Sequence, residues 1–405
     1  MAVKPGYKQT EIGVVPMQWE VKSLTEIAEK IMVGIASAAT HAYRVKGVPM
    51  FRNQNVKAGK LDDSDLLFIA PEYEITFKNK RLRSGDLLTM RTGYPGVTAI
   101  VPPQYDSAQS FTTLITRPNH REVDSSFLCH YINSEIGQRF FTQSQIGGAQ
   151  KNVNAGTLRM MPVPIPSLSE QRAIATALSD VDELLGALER LIAKKRDLKL
   201  AAMQQLLTGQ TRLSGFHSEW EVKRLGEICD IAMGRTPARL NKKFWGRGYK
   251  WLSIADFQGK VVSESKEEIT ELAASTMEVI PKGTLLMSFK LSIGRLCFAG
   301  CDLYTNEAIC SFKNLQASGE FLYYALGRTD FSLYGKQAVK GYTLNKESLK
   351  IVEVDLPSLP EQTAIASVLS DMDAELAVLE QRLAKTRVLK QGMMQELLTG
   401  RTRLV

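Results

Sequence analysis

The chain has 405 residues and a mass of 45.0 kDa, which predicts two or three domains and not one large core. Hydrophobic residues make up 44% and charged residues 23%, an ordinary globular composition. The sequence contains no run of 18 apolar residues and no apolar leader, so we expect a cytoplasmic protein without a membrane partner. The five cysteines, an odd number with no CxxC pair, argue against a disulfide framework.

A duplicated segment divides the chain into four parts. Residues 166–213 recur as residues 357–404, with 29 of 48 positions identical. A shorter repeat, Trp-Glu-Val-Lys, begins at Trp19 and again at Trp220. The predicted order is a globular half (1–165), a helix (166–213), a second globular half (214–356) and a second helix (357–405).

The first globular half is the more basic one. Its net charge is +5, against +1, +2 and 0 for the three segments that follow, within a total of +8 and a pI near 9.1. This excess is compatible with a polyanionic partner, which would then bind the globular halves.

The stretch Phe51–Asn55 (FRNQN) offers side chains that can bond bidentately to guanine or adenine edges. Phosphate contact and a charged strand edge are equally good explanations of a further basic group, Lys78, Lys80, Arg81 and Arg83.

The first repeated segment has the pattern of a long amphipathic helix. Apolar residues recur at alternating spacings of four and three, a coiled-coil seam, at Ile174, Leu178, Val181, Leu185, Leu188 and Ile192. Ser167 with Glu170 and Ser358 with Glu361 form capping-box patterns, and Gly209 and Gly400 suit C-terminal caps. Roughly 37 residues at about 1.5 Å per residue predict a helix of about 55 Å.

The seam has two possible partners. It could pack into its own globular half, or the two helices could pack on each other. Length and the close similarity of two seams attached to divergent halves favour mutual packing. An antiparallel pair would project the globular halves from opposite ends with approximate two-fold symmetry.

The second globular half contains the most basic stretch of the chain. Residues 235–250 (RTPARLNKKFWGRGYK) include six basic and no acidic residues, with Phe244, Trp245 and Tyr249 interleaved. Basic side chains can neutralise phosphates while aromatic rings anchor the loop or stack on bases. A solvated loop with core-facing aromatics is the alternative; the pattern favours DNA contact.

No catalytic motif stands out. Val101-Pro102-Pro103-Gln104-Tyr105 lacks the polar first residue and adjacent aromatic of an amino-methyltransferase loop, and no GxxxxGK[ST] loop is present. Asp256 with Glu264 is the nearest approach to a nuclease carboxylate set. The four histidines and the group Cys297, Cys301 and Cys310 lack metal-ligand spacing. The sequence is therefore typical of a reader without metal or catalytic residues.

The repeated motifs resemble one family. The Pro-x-Leu-x-Glu-Gln starts at 166–171 and 357–362, the Leu-Leu-Thr-Gly-x-Thr-Arg-Leu ends at 206–213 and 397–404, and the Trp-Glu-Val-Lys openings together resemble the specificity subunit of Type I restriction-modification enzymes. Residues 283–294 (GTLLMSFKLSIG) and 341–344 (GYTL) add to the resemblance, while 90–96 (MRTGYPG) departs from it in the first half.

The resemblance implies a fold and a set of partners. Two mixed α/β target recognition domains would each read one half of a split DNA sequence, joined by two long helices in an antiparallel coiled coil. The helices would dock two methyltransferase subunits carrying S-adenosylmethionine. Restriction subunits with ATP-dependent translocation, hence ATP and Mg²⁺, would join that assembly for host defence. The chain itself would carry no cofactor and no catalytic activity.

Candidate DNA-contacting residues combine amide, aromatic or cationic groups with glycine- or proline-marked loops. In the first half they are Arg52, Asn53, Asn55, Arg91, Tyr94 and Lys151; in the second they are Lys242, Lys243, Arg247, Lys290, Ser292 and Tyr342. Two other functions stay open at this point: a stand-alone two-domain DNA-binding regulator, and a structural coiled-coil adaptor that binds only proteins.

Overall fold

The computed structural model describes residues 5–37, 39–144, 152–290, 292–338 and 341–404. The chain forms two compact units. Unit 1 comprises residues 1–190 and 381–405, and unit 2 comprises residues 191–380, so the division falls inside both predicted helices. The units therefore differ from the four segments taken from the sequence, because each unit combines one globular half with part of both helices.

Unit 1 is a mixed α/β structure built on two four-stranded sheets. Their strand orders are β11-β10-β13-β4 and β12-β6-β9-β5. The strands are β1 Tyr7–Thr10, β2 Gly13–Pro16, β3 Glu20–Ser23, β4 Ala28–Val33, β5 Tyr43–Arg44, β6 Val48–Phe51, β7 Val56–Lys57, β8 Lys60–Leu61, β9 Leu67–Ile69, β10 Leu87–Thr89, β11 Thr98–Ile100, β12 Gln109–Ser110, β13 Leu114–Pro118 and β14 Pro162–Ile165. The helices are α1 Pro71–Glu74, α2 Ser125–Asn133, α3 Glu135–Gln143, α4 Ala155–Arg159 and the start of α5 Leu168–Leu206.

Unit 2 repeats this plan with a five-stranded sheet, β16-β23-β20-β21-β18, and a three-stranded sheet, β19-β17-β22. Its strands are β15 Glu221–Arg224, β16 Asp230–Met233, β17 Trp245–Leu252, β18 Val261–Val262, β19 Glu267–Ile269, β20 Leu285–Ser288, β21 Leu296–Ala299, β22 Tyr304–Thr305, β23 Ile309–Lys313, β24 Lys336–Ala338, β25 Gly341–Thr343 and β26 Glu353–Leu356. Its helices are α6 Leu225–Ile228, α7 Glu271–Ala274, α8 Gly319–Arg328, α9 Lys346–Lys350 and the start of α10 Leu359–Leu397.

The predicted long helices are confirmed as α5 and α10, each of 39 residues. Ion pairs between them show their direction. In unit 1, Asp182 bonds Lys390 at 2.6 Å and Glu189 bonds Arg387 at 2.7 Å, so residue numbers rise along one helix as they fall along the other. In unit 2, Arg196 pairs with Glu380 and Lys199 with Asp373 in the same sense. Within each unit the helices are antiparallel, as predicted.

The seam residues pack in two ways. Ile174 and Leu178 are buried in the core of unit 1, where they join α2 and the far end of α10. Ile365 and Leu369 are likewise buried in the core of unit 2, where they join α8 and the far end of α5. Leu188, beside the Glu189–Arg387 pair, is only 4% exposed although it lies in neither globular core. The beginning of each seam therefore packs into its own globular half, and its middle packs along the other helix.

A buried carboxylate ties each helix start to the other repeat. Glu170, 2% exposed, accepts a hydrogen bond from Trp19 Nε1 at 3.2 Å and forms an ion pair with Arg403. In unit 2 the equivalent Glu361, 0% exposed, accepts from Arg212 Nε at 2.6 Å. The predicted capping box is therefore wrong for the Glu170 side chain, which bonds distant partners and not the amide of Ser167; the Ser167 hydroxyl still accepts from the Glu170 amide at 3.3 Å.

The predicted cap glycines adopt left-handed backbone conformations. Gly209 has φ 67° and Gly400 has φ 69°. A Cβ atom on Gly400 would lie 2.5 Å from Cγ of Pro16, so the chain there has room only for glycine. The end of each long helix turns onto the tryptophan that opens a globular half: a Cβ atom on Gly400 would lie 3.1 Å from Trp19, and one on Gly209 would lie 3.5 Å from Trp220.

A polar cluster joins α2 to the long helices in unit 1. His130 Nε2 lies 3.3 Å from the Ser179 hydroxyl, and His130 Nδ1 lies 4.0 Å from the carboxylate of Asp182. Burial, aided by the positive charge of Lys390, lowers the pKa of His130 to about 4. The equivalent cluster of unit 2 has Tyr324 donating to Asp373 at 2.7 Å.

We predict that Arg212→Ala lowers the free energy of unfolding by about 2 to 4 kcal/mol, because it leaves the buried Glu361 carboxylate without its cation. Arg224→Ala is the control: Arg224 is exposed and 3.7 Å from Glu353, so its loss should change stability by less than about 0.5 kcal/mol. Urea unfolding followed by tryptophan fluorescence measures both. Equal effects of the two variants would contradict the role of the buried pair.

We also predict that His130 makes the protein less stable in acid. Its folded pKa of about 4 lies below the ordinary value of 6.5, so the unfolded chain binds the proton first. Lowering the pH from 7 to 5 should then remove about 2 kcal/mol of stability through this group. His130→Gln should flatten the decline measured by urea unfolding at each pH, whereas His217→Gln at an exposed position should not. Parallel pH profiles for both variants would refute the assignment.

Candidate nucleic-acid interface

Asn53 joins three loops at one end of the sheets of unit 1. Its Oδ1 accepts from the amide of Arg91 at 2.9 Å, and its Nδ2 donates to the hydroxyls of Thr92 at 3.3 Å and Thr112 at 3.4 Å. Asn53 is half-buried. Its carboxamide therefore positions the loop between β10 and β11, which carries two further candidate residues.

That loop, Met90–Gly96, presents Tyr94 at its tip. The amide of Gly96 donates to the carbonyl of Met90 at 3.0 Å, which closes the loop. Gly96 is required there, because it has φ 97° and a Cβ atom would lie 2.3 Å from the Phe141 ring. Tyr94 is 76% exposed, and Arg91 is half-buried with its Nε donating to Asn152 at 3.2 Å. Beside Tyr94 lies an open concavity of about 640 Å³.

The other first-half candidates serve the turn after β6 or lie elsewhere. Asn55 is 2% exposed, and its Nδ2 donates to the carbonyls of Asp62 and Asp65, each at 3.0 Å. Arg52 forms an ion pair with Asp65 at 2.7 Å. Both residues thus hold the turn that presents Asn53. Lys151 lies outside the described residues.

Unit 2 has a loop with the same backbone frame. The amide of Gly294 donates to the carbonyl of Ser288 at 2.9 Å, and the amide of Ser292 donates to the carbonyl of Lys290 at 2.8 Å; Leu291 lies outside the described residues. Unit 1 makes the matching bonds from Gly96 and from Tyr94. Ser292 therefore occupies the position of Tyr94, and Lys290 that of Thr92. Both are exposed, so equivalent frames display different chemical groups.

The basic loop of unit 2, which we define as residues Arg235–Lys243, lies near Lys290. The Thr236 hydroxyl donates to the carboxylate of Glu307. This hydrogen bond, with the charges of Lys290 and Arg239, holds the pKa of Glu307 below its usual value. Lys290 and Arg239 are therefore both close enough to Glu307 to stabilise its charged form.

Of the remaining second-half candidates, three lie close together in the chain and Tyr342 lies apart from them. Lys242 and Lys243 are exposed on a 3₁₀ turn, Lys242–Phe244, at the end of the basic loop. Arg247 is exposed in a three-residue bulge of β17, where Trp245 and Tyr249 both lie opposite Ile269. Tyr342 lies in β25 opposite Gln337 of β24. Lys242 and Lys243 therefore share the basic loop, and Lys290 and Ser292 share the loop that follows β20.

Sequence reasoning missed a basic connection in unit 1 that corresponds to the Arg247 bulge. Tyr43 in β5 and Val48 in β6 both lie opposite Ile69 of β9, and residues 45–47 connect the two strands. Arg44 and Lys46 are exposed there. A glycine is needed at both places, and these glycines were the signal in the sequence. A Cβ atom on Gly47 would lie 2.3 Å from the carbonyl oxygen of Ile69, and one on Gly248 would lie 2.6 Å from the carbonyl oxygen of Ile269.

The structure adds little to the catalytic residues considered above. Within the described part of the chain, no group of three or more His, Cys, Asp or Glu residues could hold a metal ion. Burial raises the pKa of Cys129, Cys229 and Cys297 to about 12, which makes these thiols poor nucleophiles. Asp256 accepts hydrogen bonds from Ser253 and from the amide of Lys266, and so closes a local turn. No described helix is long and apolar enough to span a membrane.

Comparisons with known proteins agree with this architecture. The family model for the Type I restriction modification DNA specificity domain matches twice, at residues 16–195 and 217–386. The protein named type I restriction enzyme MjaX specificity subunit, from Methanocaldococcus jannaschii, is 25% identical over 98% of this chain and 97% of its own length. The type I restriction enzyme StySPI specificity subunit of Salmonella potsdam is 24% identical over 84% of this chain and 79% of its own.

A solved structure shows the same fold. The S subunit of a Type-I restriction-modification system from M. genitalium superimposes with a TM-score of 0.60, covering 98% of this chain and 99% of its own, at 15% sequence identity. Two α/β units with basic loops, together with two duplicated helices, define a DNA sequence-recognition protein. The chain belongs to the Type I restriction-modification DNA specificity family and is a specificity subunit with two recognition domains.

We predict that Arg91→Ala and Arg247→Ala each reduce affinity for the cognate DNA. A base-reading arginine should cost about 1 to 3 kcal/mol and relax one position of the site, whereas a phosphate contact should weaken all sequences and lower the salt slope by about 1. Fluorescence anisotropy with cognate and single-substitution duplexes at several salt concentrations separates these results. Arg121→Ala, at an exposed position of unit 1, is the control. Unchanged affinity in both variants would show that these loops do not contact DNA.

Proposed function

We propose that each unit reads one half of a bipartite double-stranded DNA target, and that the long helices dock two methyltransferase subunits of a Type I restriction-modification complex. Restriction subunits join the same assembly. In this proposal S-adenosylmethionine, ATP and Mg²⁺ belong to the partner subunits, and the chain selects the sequence without catalysing a reaction. Because its substrate is host and invading DNA, we place the complex in the cytoplasm.

The observation that carries the proposal is the pair of loop frames. Met90–Gly96 and Ser288–Gly294 share their backbone hydrogen bonds but display Tyr94 in one unit and Ser292 in the other. Reading two different half-sites requires a loop whose backbone conformation is kept while its side chains differ, because base edges are distinguished by the side chains that contact them. The net charges of +5 and +2 in residues 1–165 and 214–356 supply the attraction to phosphate.

The two partner copies are inferred from repeated exposed residues on the helices. Lys194 and Leu198 of unit 2 have the equivalents Lys385 and Leu389 in unit 1, and all four side chains are exposed. Leu198 is 47% and Leu389 is 59% exposed, although a coiled coil does not need leucine on its outer face. The same lysine–leucine pair in both repeats supports one kind of partner bound twice.

We predict that deletion of the gene removes one split adenine-methylation motif from the host genome. Genome-wide mapping of N6-methyladenine with and without the gene measures this, and complementation with the wild-type chain should restore the motif. Complementation with Leu198→Asp plus Leu389→Asp should not restore it, because each aspartate would place a charge where the partner's apolar surface packs. Leu333→Asp, at another exposed leucine, is the matched control.

The result also decides between the functions. An unchanged methylation pattern with tight, salt-dependent DNA binding by the purified chain would indicate a stand-alone regulator instead. Absence of salt-dependent DNA binding together with an unchanged pattern would indicate a protein-binding adaptor. Either outcome would overturn the proposal.

A further inference from the structure

The most exposed apolar side chain of the basic loop is Leu240. It is 99% exposed, which means that its side chain contacts almost nothing in the structure. Single exposed leucines are common on protein surfaces and need no explanation by themselves. Leu240 differs because the loop around it is held rigidly and is strongly basic.

The residues on both sides of Leu240 are fixed by contacts within unit 2. The guanidinium carbon of Arg239 lies 4.0 Å from the ring centre of Trp245 and 4.8 Å from that of Trp251, and its Nη1 bonds Glu267 at 2.6 Å. The indole of Trp245 donates to the carbonyl of Ala238 at 3.2 Å. The loop thus presents Leu240 from an ordered position.

The chain after Leu240 is equally well defined. The amide of Asn241 donates to the carbonyl of Ala238 at 3.1 Å, and the side chain of Asn241 accepts from the amide of Lys243 at 3.1 Å. A turn with these bonds places Leu240 at its tip. The loop therefore needs no rearrangement to offer an apolar side chain to a partner.

The neighbourhood of Leu240 is positively charged. Lys242 and Lys243 follow it on the 3₁₀ turn and are exposed, and within the described residues neither forms an ion pair. Arg235 is exposed at the start of the same loop. A ligand for this surface must combine an anionic exterior with an apolar interior that a leucine can enter. Duplex DNA has this chemistry, since its phosphates flank stacked bases.

We propose that Leu240 is a wedge residue that enters the DNA groove at the half-site read by unit 2 and partly unstacks one base step. Leucine is among the apolar side chains that proteins insert between base steps, where they kink the duplex. Lys242 and Lys243 would bind the phosphates on either side of the opened step. This inference rests on the proposed function and adds a residue that reads the deformability of DNA instead of its base edges.

The test uses the full-length chain in its complex with the methyltransferase subunits. The DNA probes are duplexes of the cognate site in which 2-aminopurine replaces one adenine at a time, on either strand, in and beside the half-site of unit 2, with the target adenine left natural. A wedge should raise the fluorescence of the probe at one step when the wild-type complex binds. Leu240→Ala should abolish that rise and weaken binding about tenfold or more, as expected for the loss of a buried leucine side chain.

Three further variants separate the wedge from a general loss of binding. Leu240→Met keeps an apolar side chain and should retain both signals. Leu333→Ala removes another exposed leucine of unit 2, 78% exposed, and should change neither. Lys242→Ala plus Lys243→Ala should weaken binding and lower its salt dependence but keep the fluorescence rise at saturation, because the wedge is still present.

The outcomes distinguish this inference from the proposed function. If Leu240→Ala binds and unstacks DNA as the wild type does, the wedge is refuted while DNA recognition stands. If Leu240→Ala instead reduces copurification of the methyltransferase with DNA binding unchanged, Leu240 is a protein contact and the wedge is also refuted. If the wild-type complex does not bind the mapped site, the proposed function fails and the wedge fails with it.

Discussion

The structure depends on two buried carboxylates, Glu170 and Glu361. A carboxylate removed from water is stable only when it is paired and hydrogen-bonded. Glu170 finds its cation 233 residues away at Arg403, and Glu361 finds its cation 149 residues away at Arg212. Each start of a long helix can therefore be buried only when the end of the other repeat is in place.

The apolar cores impose the same condition. Leu397 and Leu398, from the end of the second repeat, are buried in the core of unit 1. Leu206 and Leu207, from the end of the first repeat, are buried in the core of unit 2. Neither globular half has a complete core of its own, which explains why the compact units take residues from both helices. Helix pairing and domain folding are thus one process.

The sequence predicted the features that are set locally and missed those set by distant contacts. The long helices, their antiparallel pairing and the left-handed glycines at 209 and 400 were predicted correctly, because a 3.5-residue seam repeated twice is a strong local signal. The capping role of Glu170 was wrong, since the half-buried Arg403 and the buried Trp19 bond its carboxylate in place of the backbone amide. Asn53 was chosen for its chemistry, but its bonds to Arg91 and Thr112 could be known only after three loops had been brought together. The basic connection around Arg44 and Lys46 was missed because no periodicity marks it; only the close approach of Gly47 to Ile69 does.

The two polar clusters show whether the helix residues or the domain residues differ between the two units. Ser179, Asp182 and Lys390 in unit 1 have identical counterparts in Ser370, Asp373 and Lys199 in unit 2. On the domain side the first cluster meets a histidine and the second a tyrosine that donates to Asp373 at 2.7 Å. The helix residues are the same in both copies because each must fit the other helix as well as its domain, whereas a domain residue has to fit only one helix surface. The same reasoning applies at the far end of each domain, where Tyr94 and Ser292 occupy one loop position and no helix contact restricts the choice. Between the two repeats, identity is therefore found where the chain packs on itself, and divergence at exposed loop positions that no packing restricts.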